Sequence, residues 1–151
     1  MTEKEARQLN PLVMAFVGDS VFTLFVRQKL ASVSHCKAGG LHKQANKFVS
    51  ATAQSYIFER LESMLTEDEA SIARRAKNAH NNTVAKHATV ADYKRATSLE
   101  AVLGYLSLSG QTERLETLLG AAYEINVNAE SERNETQEVS QEITATEKTN
   151  E

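Results

Sequence analysis

Apolar positions along the chain recur at helical spacing, and no segment keeps an alternation of period two. Pro11, tolerated in a first turn that has no use for its N–H, begins a helix predicted to run to about Leu30. This segment is apolar on nearly all sides, which indicates a central, buried helix. A loop over residues 31–40 and a second helix over residues 41–64 follow. The pattern predicts an all-α fold.

Helix start and stop signals predict three further helices. Thr66 and Glu69 have the spacing of a capping box, so a third helix begins there. The polar stretch 78–89 predicts a loop, and apolar positions then predict a helix over residues 92–109. Thr112 begins a last amphipathic helix. No internal repeat is visible along these elements.

The segment 127–151 differs in composition from the rest of the chain. It has seven Glu against Arg133 and Lys148, few apolar residues and no aromatic one. Such a segment buries too little surface to offset its ordering entropy. We therefore predict a single folded domain over residues 1–126, followed by a disordered acidic tail. The net charge of −3 for the whole chain becomes +2 once the −5 of the tail is set apart.

Composition excludes several classes of protein. The single cysteine, Cys36, excludes an internal disulfide and a zinc site of several thiolates. The N-terminal residues are charged from Glu3 onward, unlike a secretory leader. The longest apolar run, residues 12–26, is interrupted by polar residues and is too short to cross a bilayer. We therefore expect a cytoplasmic protein with no membrane partner.

Asp19 lies among apolar residues in the middle of the first predicted helix. A carboxylate in a core has to be paired, hydrogen-bonded or bound to a metal. Gly18 beside it lowers helix stability, which suggests that something approaches the backbone closely there. A structural pairing with Arg27, a lysine or a backbone N–H is as compatible with this pattern as a metal-binding role.

Glu100 is a second isolated acid, in the apolar segment 96–106. Two carboxylates on two core helices can converge on one divalent cation, and hard oxygen ligands suit magnesium. A surface pairing of Glu100 with Lys94 or Arg95 is the alternative. Taken together, the two acids favour a metal site.

Basic residues concentrate between positions 74 and 95, where six Lys or Arg accompany one Asp. Double-stranded RNA is contacted mainly through phosphates and 2′-hydroxyls, which requires such side chains rather than stacking aromatics. Basic residues also suit a helix C-terminus, so the feature is weak by itself. The candidate RNA-binding residues are Arg74, Arg75, Lys77, Asn78, Lys86, Lys94 and Arg95.

Three blocks follow one another in the chain: residues 16–22 (FVGDSVF), residues 41–54, and residues 74–79 with 93–106. They resemble, in the same order, the blocks of the ribonuclease III family and of its Mini-III branch. The first is similar to the signature helix that carries a metal-binding Asp. The similarity spans about residues 9–125, and the expected absence of a following double-stranded-RNA-binding domain is typical of that branch.

This resemblance implies the ribonuclease III catalytic-domain helical fold and a symmetric homodimer with two composite sites. It implies magnesium-dependent hydrolysis of double-stranded RNA, with Asp19 and Glu100 as the catalytic and metal-binding acids. For Mini-III enzymes it implies maturation of the 5′ and 3′ ends of the 23S ribosomal RNA precursor. Whether ribosomal proteins of the large subunit present that substrate is left open.

The chain departs from full-length ribonuclease III at three positions that hold further acids in that enzyme and are Leu12, Ala15 and Thr97 here. With fewer protein ligands and more water, we expect one weakly bound magnesium ion per site and a second only with RNA. The resemblance implies that Asp19 binds magnesium directly and that Glu100 completes the coordination, directly or through water. Attack by metal-bound water should leave a 5′-phosphate and a 3′-hydroxyl.

The main alternative is a catalytically inactive ribonuclease III fold that acts as an RNA-binding or ribosome-associated structural protein. Such versions usually lose the signature acids, so the presence of both Asp19 and Glu100 favours the enzyme. A generic helical interaction protein would explain the helices, but neither the two isolated acids nor the ordered blocks.

Overall fold

The computed structural model describes residues 1–79 and 88–149, with side chains described as far as residue 145. These residues form seven α-helices and no strand, which confirms the predicted all-α class. The predicted loop 78–89 lies mostly outside the described residues. In chain order the helices are α1 (Glu3–Gln8), α2 (Pro11–Val33), α3 (Ala38–Val49), α4 (Ala51–Leu61), α5 (Glu67–Lys77), α6 (Val90–Leu108) and α7 (Thr112–Thr149), with a 3₁₀ turn at Glu62–Met64 after α4.

Helix α6 is the centre of the fold, and α2, α4 and α5 pack around it. Between positions 96 and 106 every residue of α6 is buried except Glu100. A helix that is apolar all round has to be surrounded by protein, which is the arrangement seen here. Glu100 is therefore the one residue of this run that its neighbours do not fully cover.

Helix α2 differs from the prediction that it is buried on nearly all sides. One side, including Met14 and Phe22, is fully buried in the core. The opposite side is exposed and still apolar: Phe16 is 78% exposed, Leu24 58% and Val13 47%. Among the described residues of one chain, α2 has neighbours on one side only. Burial inside this chain therefore accounts for the apolar residues on one side of α2 and leaves those on the opposite side unexplained.

The single helix predicted over residues 41–64 is wrong, because the structure divides it at Ser50. There the backbone is extended (φ −63°, ψ 151°), and the Ser50 hydroxyl accepts a hydrogen bond from the Ala53 N–H at 3.3 Å, as an N-cap does. The apolar spacing continues across the break since α3 and α4 both face the core, so periodicity did not reveal it. The preceding loop is also shorter than predicted, covering residues 34–37.

Other predicted helix ends agree with the structure. The Asn10 side chain caps α2 by accepting from the Leu12 N–H at 2.9 Å. Thr66 and Glu69 form the predicted capping box, in which the Glu69 carboxylate accepts from the Thr66 N–H at 2.9 Å. Gly110, with φ 70°, turns the chain between α6 and α7. Side-chain chemistry therefore determined these boundaries locally.

The acidic segment predicted to be disordered continues α7 instead, over residues 127–149. No proline or glycine interrupts it. Its first turns also contact the body, since Ala129 is buried and Glu130 forms an ion pair of 3.4 Å with Lys47. Once these contacts hold the beginning, adding further turns costs little because helix propagation is easier than nucleation. The domain boundary at residue 126 stays a prediction.

Candidate active site

Two glycines set the crossing of α2 and α6. A Cβ at Gly18 would overlap the Glu100 carbonyl oxygen and lie 2.6 Å from its carbonyl carbon. A Cβ at Gly104 would overlap the Met14 carbonyl in the same way, 2.7 Å from its carbon. The two backbones are therefore in direct contact, with no room for a side chain between them. The close approach expected at Gly18 is confirmed, and α6 is the element that approaches.

This crossing brings the two predicted acids together. Asp19 follows Gly18 on α2, and Gly18 rests on the backbone of Glu100 itself. The carboxylates are close enough for the Asp19 charge to raise the pKa of Glu100. Two residues that are 81 positions apart in the sequence are therefore neighbours in the fold.

The surroundings of Asp19 differ from the expected core. Asp19 is exposed, because it lies at the edge of the crossing rather than under α6. Among the described residues it forms no ion pair, so the alternative pairing with Arg27 is not found. An exposed carboxylate without a partner is free to receive a ligand from solvent.

Glu100 is half-buried, and its surroundings disfavour the charged form. Burial is the larger cause and the Asp19 charge the second, and together they raise the pKa of Glu100 to about 7. Its possible partner Arg95 is engaged elsewhere, with Glu59 at 3.2 Å and Asp92 at 3.7 Å. In the ranges that the structure describes, Glu100 thus has a carboxylate neighbour and no cationic one, which is the electrostatic condition that a bound cation relieves.

Gln54 of α4 is a site residue that the sequence did not reveal. Its side chain is 1% exposed and lies against the Glu100 carboxylate, whose pKa it lowers as a hydrogen-bond donor. The sequence offered only one signal for it, a polar residue at a position where the helical pattern places the core. Otherwise the sequence places Gln54 only at the end of the block 41–54, which resembles the Mini-III branch.

We expect the titration of Glu100 to be visible in the stability of the metal-free protein. Its folded pKa of about 7 lies above the ordinary 4.5, so its stabilising contribution is present below pH 4.5 and is lost as pH rises through 7. Relative to Glu100→Gln, the unaltered protein should therefore lose on the order of 2 kcal/mol of unfolding free energy across this range. Urea unfolding with EDTA at a series of pH values measures the difference.

The control for this measurement is Glu116→Gln, which removes an exposed acid of α7. Its unfolding free energy should follow that of the unaltered protein at every pH. Parallel profiles for the unaltered protein and Glu100→Gln would show that Glu100 titrates normally.

A groove lined by predicted RNA-binding residues runs from the end of α5 to the beginning of α2. Arg74 and Asn78 line it from α5 and Leu12 from α2, and Leu12 also borders an adjoining recess that includes Lys94. Leu12 precedes Asp19 by seven residues on one helix face, which corresponds to about 10 Å. The basic groove and the two acids therefore lie on one continuous face.

The remaining predicted RNA-binding residues are placed differently. Lys77 is exposed at the end of α5, and Lys86 lies outside the described residues. Arg75 also borders the groove, but its guanidinium donates to two backbone carbonyls of the N-terminal segment, Arg7 at 2.7 Å and Leu9 at 2.8 Å. The structure thus gives Arg75, like the ion-paired Arg95, a partner within the chain.

The side chains at the crossing fit a divalent cation, although they offer it few ligands. Two carboxylates that repel each other meet beside the buried amide of Gln54, whose oxygen has no hydrogen-bond partner within the described part of the chain. Over the described ranges there is no cluster of three or more His, Cys, Asp or Glu that would hold a metal by protein ligands alone.

In the same ranges no helix is long and apolar enough to cross a membrane.

Comparison with known proteins agrees with this geometry. The family model of the Ribonuclease III domain matches residues 12–111, the stretch that contains both acids and the groove. A crystal structure of a Fusobacterium nucleatum protein superimposes with a TM-score of 0.71 at 30% identity, and the match covers 78% of this chain and 94% of that one.

Curated relatives extend the similarity over most of the chain. The Mini-ribonuclease 3 of Clostridium tetani is 39% identical, over 89% of this chain and 88% of its own length. That of Brevibacillus brevis is 42% identical, over 77% of this chain and 87% of its own length. The chain therefore belongs to the ribonuclease III family of endoribonucleases, within its Mini-ribonuclease 3 branch.

Proposed function

We propose that this chain is a magnesium-dependent endoribonuclease that cleaves double-stranded RNA. The observation that carries the proposal is the meeting of Asp19 and Glu100 at the glycine crossing, about two helical turns along α2 from a groove lined by basic and amide side chains. Such side chains suit the phosphates and 2′-hydroxyls of an RNA duplex. Membership of the ribonuclease III family supports RNA as the substrate.

The Asp19 and Glu100 carboxylates would hold the magnesium ion, with Asp19 reaching it from the exposed side. When bound, such an ion supplies an activated water and neutralises charge on the phosphodiester. With two protein carboxylates available, the remaining ligands are waters and RNA oxygens, so we expect weak binding before RNA arrives. Hydrolysis should leave a 5′-phosphate and a 3′-hydroxyl.

The residues of the groove position the duplex. Arg74 and Lys94 neutralise phosphates, and Asn78 donates to phosphate or ribose oxygens. The groove begins about two helical turns from the acids. These side chains therefore contact RNA phosphates near the cleaved one, and not the cleaved phosphate itself. Lys77, exposed at the end of α5, would extend the same surface, and Lys86 stays a proposed phosphate contact.

We expect Arg74 to contribute to RNA binding and Arg75 to contribute to the stability of the fold. Arg74→Ala should leave stability unchanged. It should reduce the slope of log affinity for RNA against log salt concentration by about 1, the value for one lost phosphate contact. Arg75→Ala should lower the free energy of unfolding by about 1–3 kcal/mol, since two hydrogen bonds worth about 0.5–1.5 kcal/mol each are lost. Urea unfolding and duplex binding at several salt concentrations measure both. A smaller salt dependence for Arg75→Ala at unchanged stability would contradict this assignment.

The exposed apolar side of α2 supports a homodimer with two sites on one RNA-binding face. Phe16, Leu24 and Val13 present large apolar side chains on this single helix face. A contiguous apolar patch on a soluble domain commonly marks an interface. The patch lies on the helix that carries Asp19, so a partner seated there would place the second acid pair close to the first.

We therefore expect Phe16→Asp to weaken the dimer. A carboxylate in an apolar interface should raise the dissociation constant at least about 30-fold, the equivalent of a 2 kcal/mol hot spot. Val139→Asp is the matched control, because Val139 is an exposed apolar residue of α7 (55% exposed) outside this face. Sedimentation over a range of concentrations measures the mass, and identical behaviour of both variants would reject the α2 interface.

In the cell, the proposed substrate is the 23S ribosomal RNA precursor in the cytoplasm, where the enzyme would mature both ends of the large-subunit RNA. Ribosomal proteins of the large subunit are candidates for presenting that duplex. Reaction with naked precursor and with precursor assembled on large-subunit proteins would separate the two modes.

The first test is incubation of the purified chain with a long, perfect RNA duplex in magnesium or in EDTA. Cutting in magnesium alone, with 5′-phosphate ends, is the result expected. A matching single strand should be cut far more slowly. Tight duplex binding without cutting under any divalent ion would instead identify an inactive scaffold of the same fold.

A further inference from the structure

Gln54 is anchored by the helix break that separates α3 from α4. In a continuous helix the Val49 carbonyl would accept from the Ala53 N–H. Here the Ala53 N–H donates to the Ser50 hydroxyl instead, and the Val49 carbonyl accepts from the Gln54 Nε2 at 3.3 Å. The break thus creates a backbone acceptor that holds the Gln54 side chain in one orientation.

From this anchor the amide of Gln54 lies against Glu100 of α6. An amide nitrogen has two hydrogens, so one can serve the Val49 carbonyl while the other faces the Glu100 carboxylate. Glu100 is the one incompletely covered residue between positions 96 and 106, and α4 packs directly on α6. Gln54 therefore connects the break in one helix to an acid of the site.

The amide oxygen of Gln54 has no partner among the described residues, although the side chain is 1% exposed. A buried acceptor without a donor costs free energy, and most such atoms in folded proteins are satisfied. A purely structural role does not account for it, because leucine or methionine would fill the same space without this cost. A water molecule at the acidic site can supply the missing donor.

We propose that Gln54 is a positioning residue for metal binding: its amide nitrogen orients the Glu100 carboxylate, and its amide oxygen accepts a hydrogen bond from water held at the site. This inference rests on the proposed function, since it assigns a role toward the same cation. Groups that orient a ligating carboxylate typically change metal affinity or activity by 10–100-fold when they are removed. With so few protein ligands, the orientation of each one has a large effect.

The experiment compares Gln54→Met, which keeps the volume and removes the amide, with the unaltered protein. Calorimetric titration of metal-free protein with Mn²⁺ in the absence of RNA should show at least about tenfold weaker binding. In the duplex assay, half-saturation should move to higher magnesium concentration and kcat should fall while KM for RNA stays. Gln54→Asn, shorter by one methylene, should lose metal affinity in the same direction and serves if the methionine variant fails to fold.

The matched control is Asn126→Leu, because Asn126 is equally buried (1% exposed) and also has an unpartnered amide atom, but lies on α7. It should change thermal stability without changing Mn²⁺ affinity. Gln54 variants that bind Mn²⁺ like the unaltered protein would overturn the positioning role alone. Absence of Mn²⁺ binding and of cutting in the unaltered protein would overturn the proposed function together with it.

Discussion

Asp19→Asn should reduce cleavage of duplex RNA by about 1000-fold or more while leaving the fold unchanged. The carboxylate is exposed and forms no ion pair in the described part of the chain, so its replacement removes charge without breaking a structural contact. A cation that loses one of two protein carboxylates loses several kcal/mol of transition-state stabilisation, and each 1.36 kcal/mol is a factor of ten. Initial rates at saturating magnesium measure the effect.

The same preparations distinguish loss of chemistry from loss of structure. The melting temperature of Asp19→Asn and its affinity for duplex RNA in EDTA should match those of the unaltered protein. Glu116→Gln, an exposed acid on α7, should cut at the normal rate. Normal cutting by Asp19→Asn would remove this residue from the site and with it the proposed metal centre.

Gly18→Ala and Gly104→Ala should destabilise the protein more than any surface change. Each added methyl would overlap a backbone carbonyl of the facing helix, and a backbone cannot turn away as a side chain can. Helices α2 and α6 would have to separate, which overpacked cores resist at about 1–3 kcal/mol or more. The cost should exceed the gain of up to about 1 kcal/mol that alanine brings to a helix interior.

Gly120→Ala isolates the two effects. Gly120 is also inside a helix, α7, but among the described residues no neighbouring element lies within 4 Å of its added Cβ. This variant should therefore be as stable as the unaltered protein or more stable. Urea unfolding measures all three variants, and cutting rates should fall for the two crossing variants because the acids move apart with the helices. Equal stability of all three would show that the crossing tolerates a side chain.

Local signals in the sequence were sufficient for most helices and for the choice of the two acids. Capping side chains at Asn10 and Thr66 act within three residues of the helix ends that they mark, so the sequence contains the complete interaction. Asp19 and Glu100 stood out because each is a lone charge in an apolar run. Both signals can be recognised in the sequence without knowledge of the three-dimensional fold.

The break at Ser50 and the role of Gln54 were not readable in this way. Two helices that face the same core continue one apolar period, so the pattern is the same with or without the break. Gln54 acquires its role from Val49 on one side and Glu100 on the other, and the second of these is distant in sequence. Arg75 is a similar case, because its partners are backbone carbonyls of the N-terminal segment.

The sequence by itself determined the all-helical class, most helix ends and the resemblance to ribonuclease III, and it singled out Asp19 and Glu100 as candidate acids, since these depend on periodicity, capping and residue type. Only the tertiary structure decided that Asp19 is exposed, that one apolar side of α2 is uncovered and that α7 continues through the acidic segment. The physical reason is that burial and electrostatic surroundings depend on which helices meet. That meeting is set by the contact of Gly18 and Gly104 with the opposite backbones, which no local pattern contains.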